Sequence, residues 1–478
     1  MTTDLRTTLP VSQSVAPDAA IRNFLIRLHF YIGLFVGPLL LVASLTGTLY
    51  VLTPQIEGWL YRDQLVARTD GPARPLSEQI QAARTAIGEG PRLFAVRPAT
   101  QALGTTRVMF TEAGLGESET RTIFVDPAAA VVQGELLTYG TSGILPFRIT
   151  LDYLHRNLLM GDIGRHYSEL AASWLWVSIL GGVLIWYFQR SVKRPKTART
   201  SAAMRARKVH TLIGLWMALG LLFLSATGLT WSRWAGGNID LFRNQVGWIT
   251  PAISTSLNSA GEVPVSAEHA DHLGMSAPVA TAAAVSEPEM VARFDAVVAT
   301  ARAAGIDSPV IEIRPPRTVD QAFRVSEYDR SWPTQVDTVA VDPNRMTVTS
   351  RADFAMFPLV AKLIRWGIDT HMGVLFGVAN QIVMAVLGVA LTVMIAYGYR
   401  MWWVRRPAAG GSPRTLARSF SYLSPLAKVT VLLLALLFGV LLPVMGVSLL
   451  VFILIDMFRA VLAEIVADSR KNVPPGLR

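Results

Sequence analysis

Four of the seven histidines in this chain fall into two matched pairs. His29 precedes Gly33 by 4 residues and Thr46-Gly47 by 17, and His210 stands at the same distances from Gly214 and Thr227-Gly228. Asp126 lies 29 residues before His155, and Asp342 lies 29 before His371; a glycine follows 6 after each of these histidines, at Gly161 and Gly377. An imidazole in or beside an apolar helix can ligate a metal, relay a proton or make a structural polar contact, and in each case it needs a partner. Equal spacing at so many points indicates an internal duplication that supplies one partner from each half.

The elements that must position these rings are membrane helices. At 51% hydrophobic and 16% charged residues, the chain is too apolar for an ordinary soluble enzyme. Runs long enough for a bilayer core, about 20 residues each, occur near 30–52, 169–188, 211–232 and 372–398. A fifth tract, 426–466, has Pro443 and Gly446 at its middle and reads as a hairpin, for about six transmembrane helices in all. Segment 189–209 holds eight Lys or Arg and no acid, and 400–425 holds five Arg and no acid, which places both in the cytoplasm.

The expected order is then a cytoplasmic N-terminus (1–28), a first span (29–52), an external domain (53–168), a second span (169–188) and a basic loop (189–209). A third span (210–232), a second external domain (233–370), a fourth span (371–399), a loop (400–425), the hairpin (426–466) and a cytoplasmic tail (467–478) complete it. The first apolar run is too long for a signal-peptide core and lacks a cleavage site, so it reads as a retained helix. The net charge of +10 follows from this topology and gives no support to nucleic-acid binding. The absence of cysteine excludes disulfides and thiolate metal sites.

Each external segment reads as a helix on a small antiparallel sheet. In the first, "SEQIQAARTAIGEG" precedes "RLFAVRP", "TTRVMFTEA" and "TRTIFVDP"; in the second, "EPEMVARFDAVVATARAAG" precedes "PVIEIRPP", "QAFRVSEY" and "DTVAVDP". The second also carries a flexible Ala-, Ser- and Pro-rich insertion, 250–287, in which His269 and His272 read as solvated loop residues.

The stretches "LHFYIGLFVG…TG", "VDP", "LHRNLLMGDIGR" and "THMGVLFG…YRMWW" resemble the PepSY-associated transmembrane helix family over about residues 22–406. Members of that family include bacterial inner-membrane ferric-siderophore reductases. The resemblance implies PepSY-like periplasmic α+β domains and, from its reductase members, b-type haem held by membrane histidines. On the topology above, His29 and His210 sit near the cytoplasmic face and His155 and His371 near the periplasmic face, so two bis-histidine haems are expected. Their irons would lie roughly 15 to 20 Å apart, about half to two thirds of the core thickness.

Gly33 and Gly214, one helical turn beyond their histidines, would leave room for a flat macrocycle or else mediate helix packing. Gly37 extends that smooth face in the first half only. His166 has no counterpart in the second half and could replace His155 or line the outer face. Arg27, Arg207 and Lys208, and on the outer side Arg156 and Arg165, would pair with haem propionates or act as interfacial cations.

The implied function is an electron conduit that reduces a ferric siderophore or another periplasmic acceptor. No catalytic side chain is expected, because no Ser-His-Asp order, HExxH, P-loop or Rossmann signature is present. The donor would be a protein, a quinol or a diffusible reductant. Two alternatives stand beside it: a non-enzymatic PepSY binding or regulatory module, and a permease, which the scarcity of charge in the helix centres disfavours.

Overall fold

The computed structural model describes residues 17–190, 202–258, 283, 285–405 and 415–471. His269, His272 and most of the 250–287 insertion lie outside the described residues, as do parts of the N-terminus, of both basic loops and of the tail.

From the N-terminus come α1 (Pro17–Phe35), α2 (Gly37–Val51), α3 (Thr53–Leu60), α4 (Arg62–Leu65) and α5 (Leu76–Ile87). Strands β1 (Arg92–Arg97), β2 (Thr106–Thr111), β3 (Glu119–Asp126) and β4 (Val131–Tyr139) precede α6 (Pro146–Asn157), α7 (Gly161–Arg190), α8 (Ala202–Thr230) and α9 (Trp234–Gln245). The same order returns in α10 (Glu287–Val291), α11 (Phe294–Ala303), β5 (Ile311–Arg314), β6 (Phe323–Glu327), β7 (Thr338–Asp342), β8 (Thr347–Ala352) and α12 (Leu359–His371). Then follow α13 (Gly377–Arg405), α14 (Leu416–Ser421), α15 (Pro425–Leu441) and α16 (Pro443–Lys471).

The chain divides into two compact units. A helical unit holds Met1–Ser44, Asp162–Asn238 and Val389–Arg478; a sheet unit holds Leu45–Gly161 and Ile239–Gly388.

Among the described residues, four helices are long and apolar enough to cross a membrane, and up to five if the pair α1 and α2 forms one span. That pair is bent by 58°, where a single helix over 29–52 is expected from the sequence. The cause is Pro38, which has no N–H to offer the Leu34 carbonyl and whose ring crowds it. The carbonyl accepts from the Tyr399 hydroxyl instead, at 2.9 Å. Gly37 makes that possible: a Cβ there would lie 3.2 Å from the same hydroxyl. Gly37 is thus a close-approach residue for Tyr399 rather than part of a smooth face. Because α1 begins at Pro17, His29 lies well inside a helix and not in a first turn.

In the expected hairpin, α15 and α16 break at Leu442 and meet where Gly446 approaches Gly439; a Cβ on Gly446 would stand 2.9 Å from the Gly439 Cα. At 17 residues, α15 is apolar but shorter than the four candidate spans.

The strands form one eight-stranded antiparallel sheet, ordered β4-β3-β2-β1-β5-β6-β7-β8, in place of the two small sheets expected. A four-stranded sheet leaves an open edge of unpaired main-chain groups, and here β1 and β5 close each other's edge through Val96 and Ile313. Beside that seam Arg97 and Glu312 form a buried ion pair, Nη2 to Oε2 at 2.6 Å, and Arg314 binds the other Glu312 oxygen. Burial works against the Glu312 charge, but Arg314 and Arg97 outweigh it and hold the carboxyl down to about 2.

One sheet face is covered by α5, α10 and α11. Leu76, Ile80 and Ala83 recur on one side of α5 and join Val96, Ile123, Phe294, Ile313 and Phe323 in a single core. The turns after β3 and β7 are built alike. Asp126 Oδ1 accepts from the N–H of Ala128 and Ala129, and Asp342 Oδ1 accepts from Asn344 and Arg345. Each turn also has a left-handed residue four positions after the aspartate, Ala130 and Met346.

Paired histidine sites

Within the helical unit, α1 brings His29 to α7 and α8 brings His210 to α13. The His29 Nδ1 lies 2.9 Å from the Ser178 carbonyl, and the His210 Nδ1 lies 2.9 Å from the Met394 carbonyl. A carbonyl only accepts, so each ring carries a proton on Nδ1, and the neutral form of the ring then has its lone pair on Nε2. One turn further along each receiving helix is a glycine. A Cβ on Gly182 would stand 3.3 Å from His29 Cε1, and one on Gly398 would stand 3.7 Å from His210 Cε1. The two rings therefore have the same mount, a carbonyl at one position and a glycine four later.

The rings face each other edge to face, with centroids 6.1 Å apart and planes at 86°. Metal–imidazole bonds of about 2 Å place the centroids of two opposed ligand rings roughly 6 Å apart, the same separation as here. Gly33, a turn beyond His29, has nothing within 4 Å of where a Cβ would stand, which suits a flat ligand and leaves it no packing partner. Gly214 differs, since a Cβ there would meet the Met394 sulfur at 3.3 Å.

The outer pair lies in the sheet unit. His155 is in the last turn of α6 and His371 in the last turn of α12, neither of them a membrane-length helix. Thr46 Oγ1 is 3.0 Å from His155 Nδ1, and a Cβ on Gly47 would stand 3.2 Å from His155 Cε1. Burial first, then the nearby His155, pushes His371 down to about 4.

Charged groups flank both histidines along their helices. Arg156 donates to the Tyr139 hydroxyl at 2.9 Å and faces Asp152 at 3.9 Å. Asp369, fully buried two residues before His371, pairs with Arg330 and Arg365. Arg330 also donates to Ser142.

His166 is exposed on α7 and both its nitrogens are engaged. Nε2 accepts from the Trp234 indole at 3.3 Å, and Nδ1 donates to the Ile163 carbonyl at 3.0 Å. Both ring nitrogens of His166 are thus occupied by protein groups in this arrangement. Arg165 donates to the Trp231 carbonyl at 3.3 Å, and the Arg27 guanidinium lies over the Phe30 ring at 5.5 Å. A buried acid that sequence reasoning passed over, Glu169, caps α9 by accepting from the N–H of Trp234 and Ala235, both at 3.0 Å.

Sequence reasoning also missed Ser178, Met394, Gly182 and Gly398, which hold the inner rings. A signal existed: Ser178 lies 23 residues after His155 and Met394 lies 23 after His371. Gly182 and Gly398 then share one offset as well.

A sequence model of the family described as PepSY-associated TM region matches residues 26–405. The match covers well over half of the chain, which therefore belongs to that family and is a multi-pass membrane protein. No curated protein matches it.

Proposed function

With that family as the premise, we propose that the protein is an electron conduit of the bacterial inner membrane. In this reading His29 and His210 hold one b-type haem, His155 and His371 hold a second, and a periplasmic ferric siderophore is the acceptor. Bound haem supplies one-electron chemistry at iron. The chain's own residues do the rest. Ser178 and Met394 orient the inner imidazoles through their carbonyls, Thr46 orients His155, and Gly33 keeps side-chain bulk off its helix face.

Orientation follows the basic loops, which place the inner pair on the cytoplasmic side and the sheet unit in the periplasm. The paired architecture derives from duplication of one unit of helix, external domain and helix. A ferric chelate grips Fe(III) more tightly than Fe(II), so a single electron loosens it, and no nucleophile or general base is required of the protein.

The observation that carries this reading is the matched mount of His29 and His210 with their rings 6.1 Å apart. A binding module or a permease gives no reason for two imidazoles mounted alike and this close together. The visible spectrum of protein purified from haem-sufficient cells is the test. A Soret band with sharp alpha and beta bands on reduction is expected, and a colourless protein would contradict the proposal.

A further inference from the structure

A helix packed on a domain that water surrounds buries its apolar stripe and turns its polar side outward. In the sheet unit α5 does so: Leu76, Ile80 and Ala83 are buried, while Glu78, Gln81 and Thr85 are exposed. The helix α12 of the same unit is reversed. Ala361, Arg365 and Asp369 recur every four residues along one side. Of these Ala361 and Asp369 are buried, and the Asp369 carboxylate is paired there with Arg330 and Arg365. On the opposite side Leu359 and Leu363, one turn apart, are 66% and 53% exposed.

These leucines belong to a larger apolar patch. Just before α12, Met356 is 79% exposed, and just after it Phe376 is 56% exposed. The exposed Trp332 joins them, its ring 5.5 Å from that of Trp366 on α12 and 6.1 Å from that of Phe376. Its N–H donates to the Leu375 carbonyl at 2.7 Å, which ties it to the turn between α12 and α13. Exposed apolar residues then continue into α13 at Val378, Ile382 and Val386, on one side of a helix long and apolar enough to cross a membrane. The first half repeats the junction, since Met160 stands five residues after His155, as Phe376 does after His371, and is also exposed.

We propose that the leucine side of α12, with Met356 and Phe376, is immersed in the bilayer leaflet that α13 enters at Gly377. A contiguous exposed apolar patch marks an interaction surface, and its continuity with the exposed side of α13 makes lipid the occupant. A water-soluble protein docked on α12 would leave the continuation along α13 unexplained. Trp332 and Trp366 fit the enrichment of tryptophan at membrane interfaces. Interfacial helices sink their apolar side about 5 to 10 Å into the boundary between head groups and acyl chains. Lys362, between the two leucines in sequence, bends back to donate to the Ala355 carbonyl at 2.7 Å, as a cation at such a boundary does. This inference goes beyond the conduit reading and does not need haem: it concerns the depth at which α12 holds His371, whatever that ring binds.

The chain contains no cysteine, so single cysteines can be introduced one at a time and labelled with a nitroxide. Full-length protein in lipid nanodiscs would carry Met356→Cys, Leu363→Cys or Phe376→Cys. Val386→Cys serves as the lipid reference, and Glu89→Cys, at an exposed bend of the same unit, as the water reference. Every one of these positions is exposed, so no label displaces a buried side chain.

The readout is the relaxation of the nitroxide by oxygen, which concentrates in hydrocarbon, against relaxation by a water-soluble nickel chelate. The oxygen-to-nickel ratio at Met356, Leu363 and Phe376 is expected to exceed that at Glu89 by about fivefold or more and to approach that at Val386. A ratio at Leu363 equal to that at Glu89 would put α12 in water and overturn the proposal. Shielding of Leu363 from both reagents would overturn it as well, because protein and not lipid would then cover the patch; spin–spin broadening in that case would identify a second copy of the chain.

Discussion

In the helical unit His29 and His210 are each held by a main-chain carbonyl, at Ser178 and Met394; in the sheet unit His155 is held by a side-chain hydroxyl, that of Thr46. A main-chain mount is indifferent to the side chain that carries it, which is why residues as unlike as serine and methionine occupy the two equivalent places. A side-chain mount depends on one residue type. A glycine lies against His155 as it does against the inner rings, Gly47 in place of Gly182 and Gly398, so the two sites differ in the mount and in one nearby charge, Asp152 beside His155.

The largest expected effects come from the ligands themselves. His29→Ala or His210→Ala removes the inner haem and leaves the outer, which halves the pyridine-haemochrome absorbance per protein; His371→Ala does the converse. Loss of all haem in every one of these variants would mean that the two sites are not separate.

Next is the acid response of the sheet that carries the outer pair. Above its ordinary value of 4.5, Glu312 is charged in folded and unfolded chains alike and its contribution to stability is complete. As pH falls from 4.5 the unfolded chain takes up a proton while the folded carboxylate resists down to about 2, so stability worth about 3 kcal/mol drains away across that window. Glu312→Gln should flatten this part of a pH–stability curve followed by strand circular dichroism. An unchanged curve would deny the seam its role.

Thr46→Val should weaken haem retention at the outer site by about 10- to 100-fold, the usual cost of losing a hydrogen bond behind a ligand. Ser178→Ala should cost the inner site much less, because the carbonyl at 2.9 Å remains and only the longer 3.4 Å contact of the Ser178 hydroxyl is lost. Equal losses in the two variants, measured by haem transfer to an apo-acceptor, would erase the distinction between backbone and side-chain mounts.

The smallest effect is at Gly33. Gly33→Ala should loosen the inner haem several-fold, and should leave the haem-free protein as stable as before or up to about 1 kcal/mol more stable, since alanine favours a helix. Unaltered haem affinity would mean that the open face serves lipid.

The histidine pairs were legible because equal spacing survives in one dimension. Their mounts were not, because Ser178 and Met394 reach them across 149 and 184 residues, and a carbonyl leaves no mark on residue type. The strands themselves followed from alternation, yet their union into one sheet depends on a single pairing of Val96 with Ile313, which no local pattern announces. The bend in α1 and α2 was present in plain view as Gly37-Pro38 within an apolar run. Overall apolarity outweighed it, and the hydroxyl that donates to the freed carbonyl, that of Tyr399, stands 365 residues away. At His166 the residue type alone suits a ligand, and only Trp234 and Ile163 reveal what its two nitrogens meet.

The most direct measurement is the haem-to-protein ratio of the purified protein beside that of His29→Ala. The account predicts two haems in the wild type and one in the variant, with the remaining haem keeping a bis-histidine spectrum. A wild type without haem, or a variant that keeps both, would contradict it.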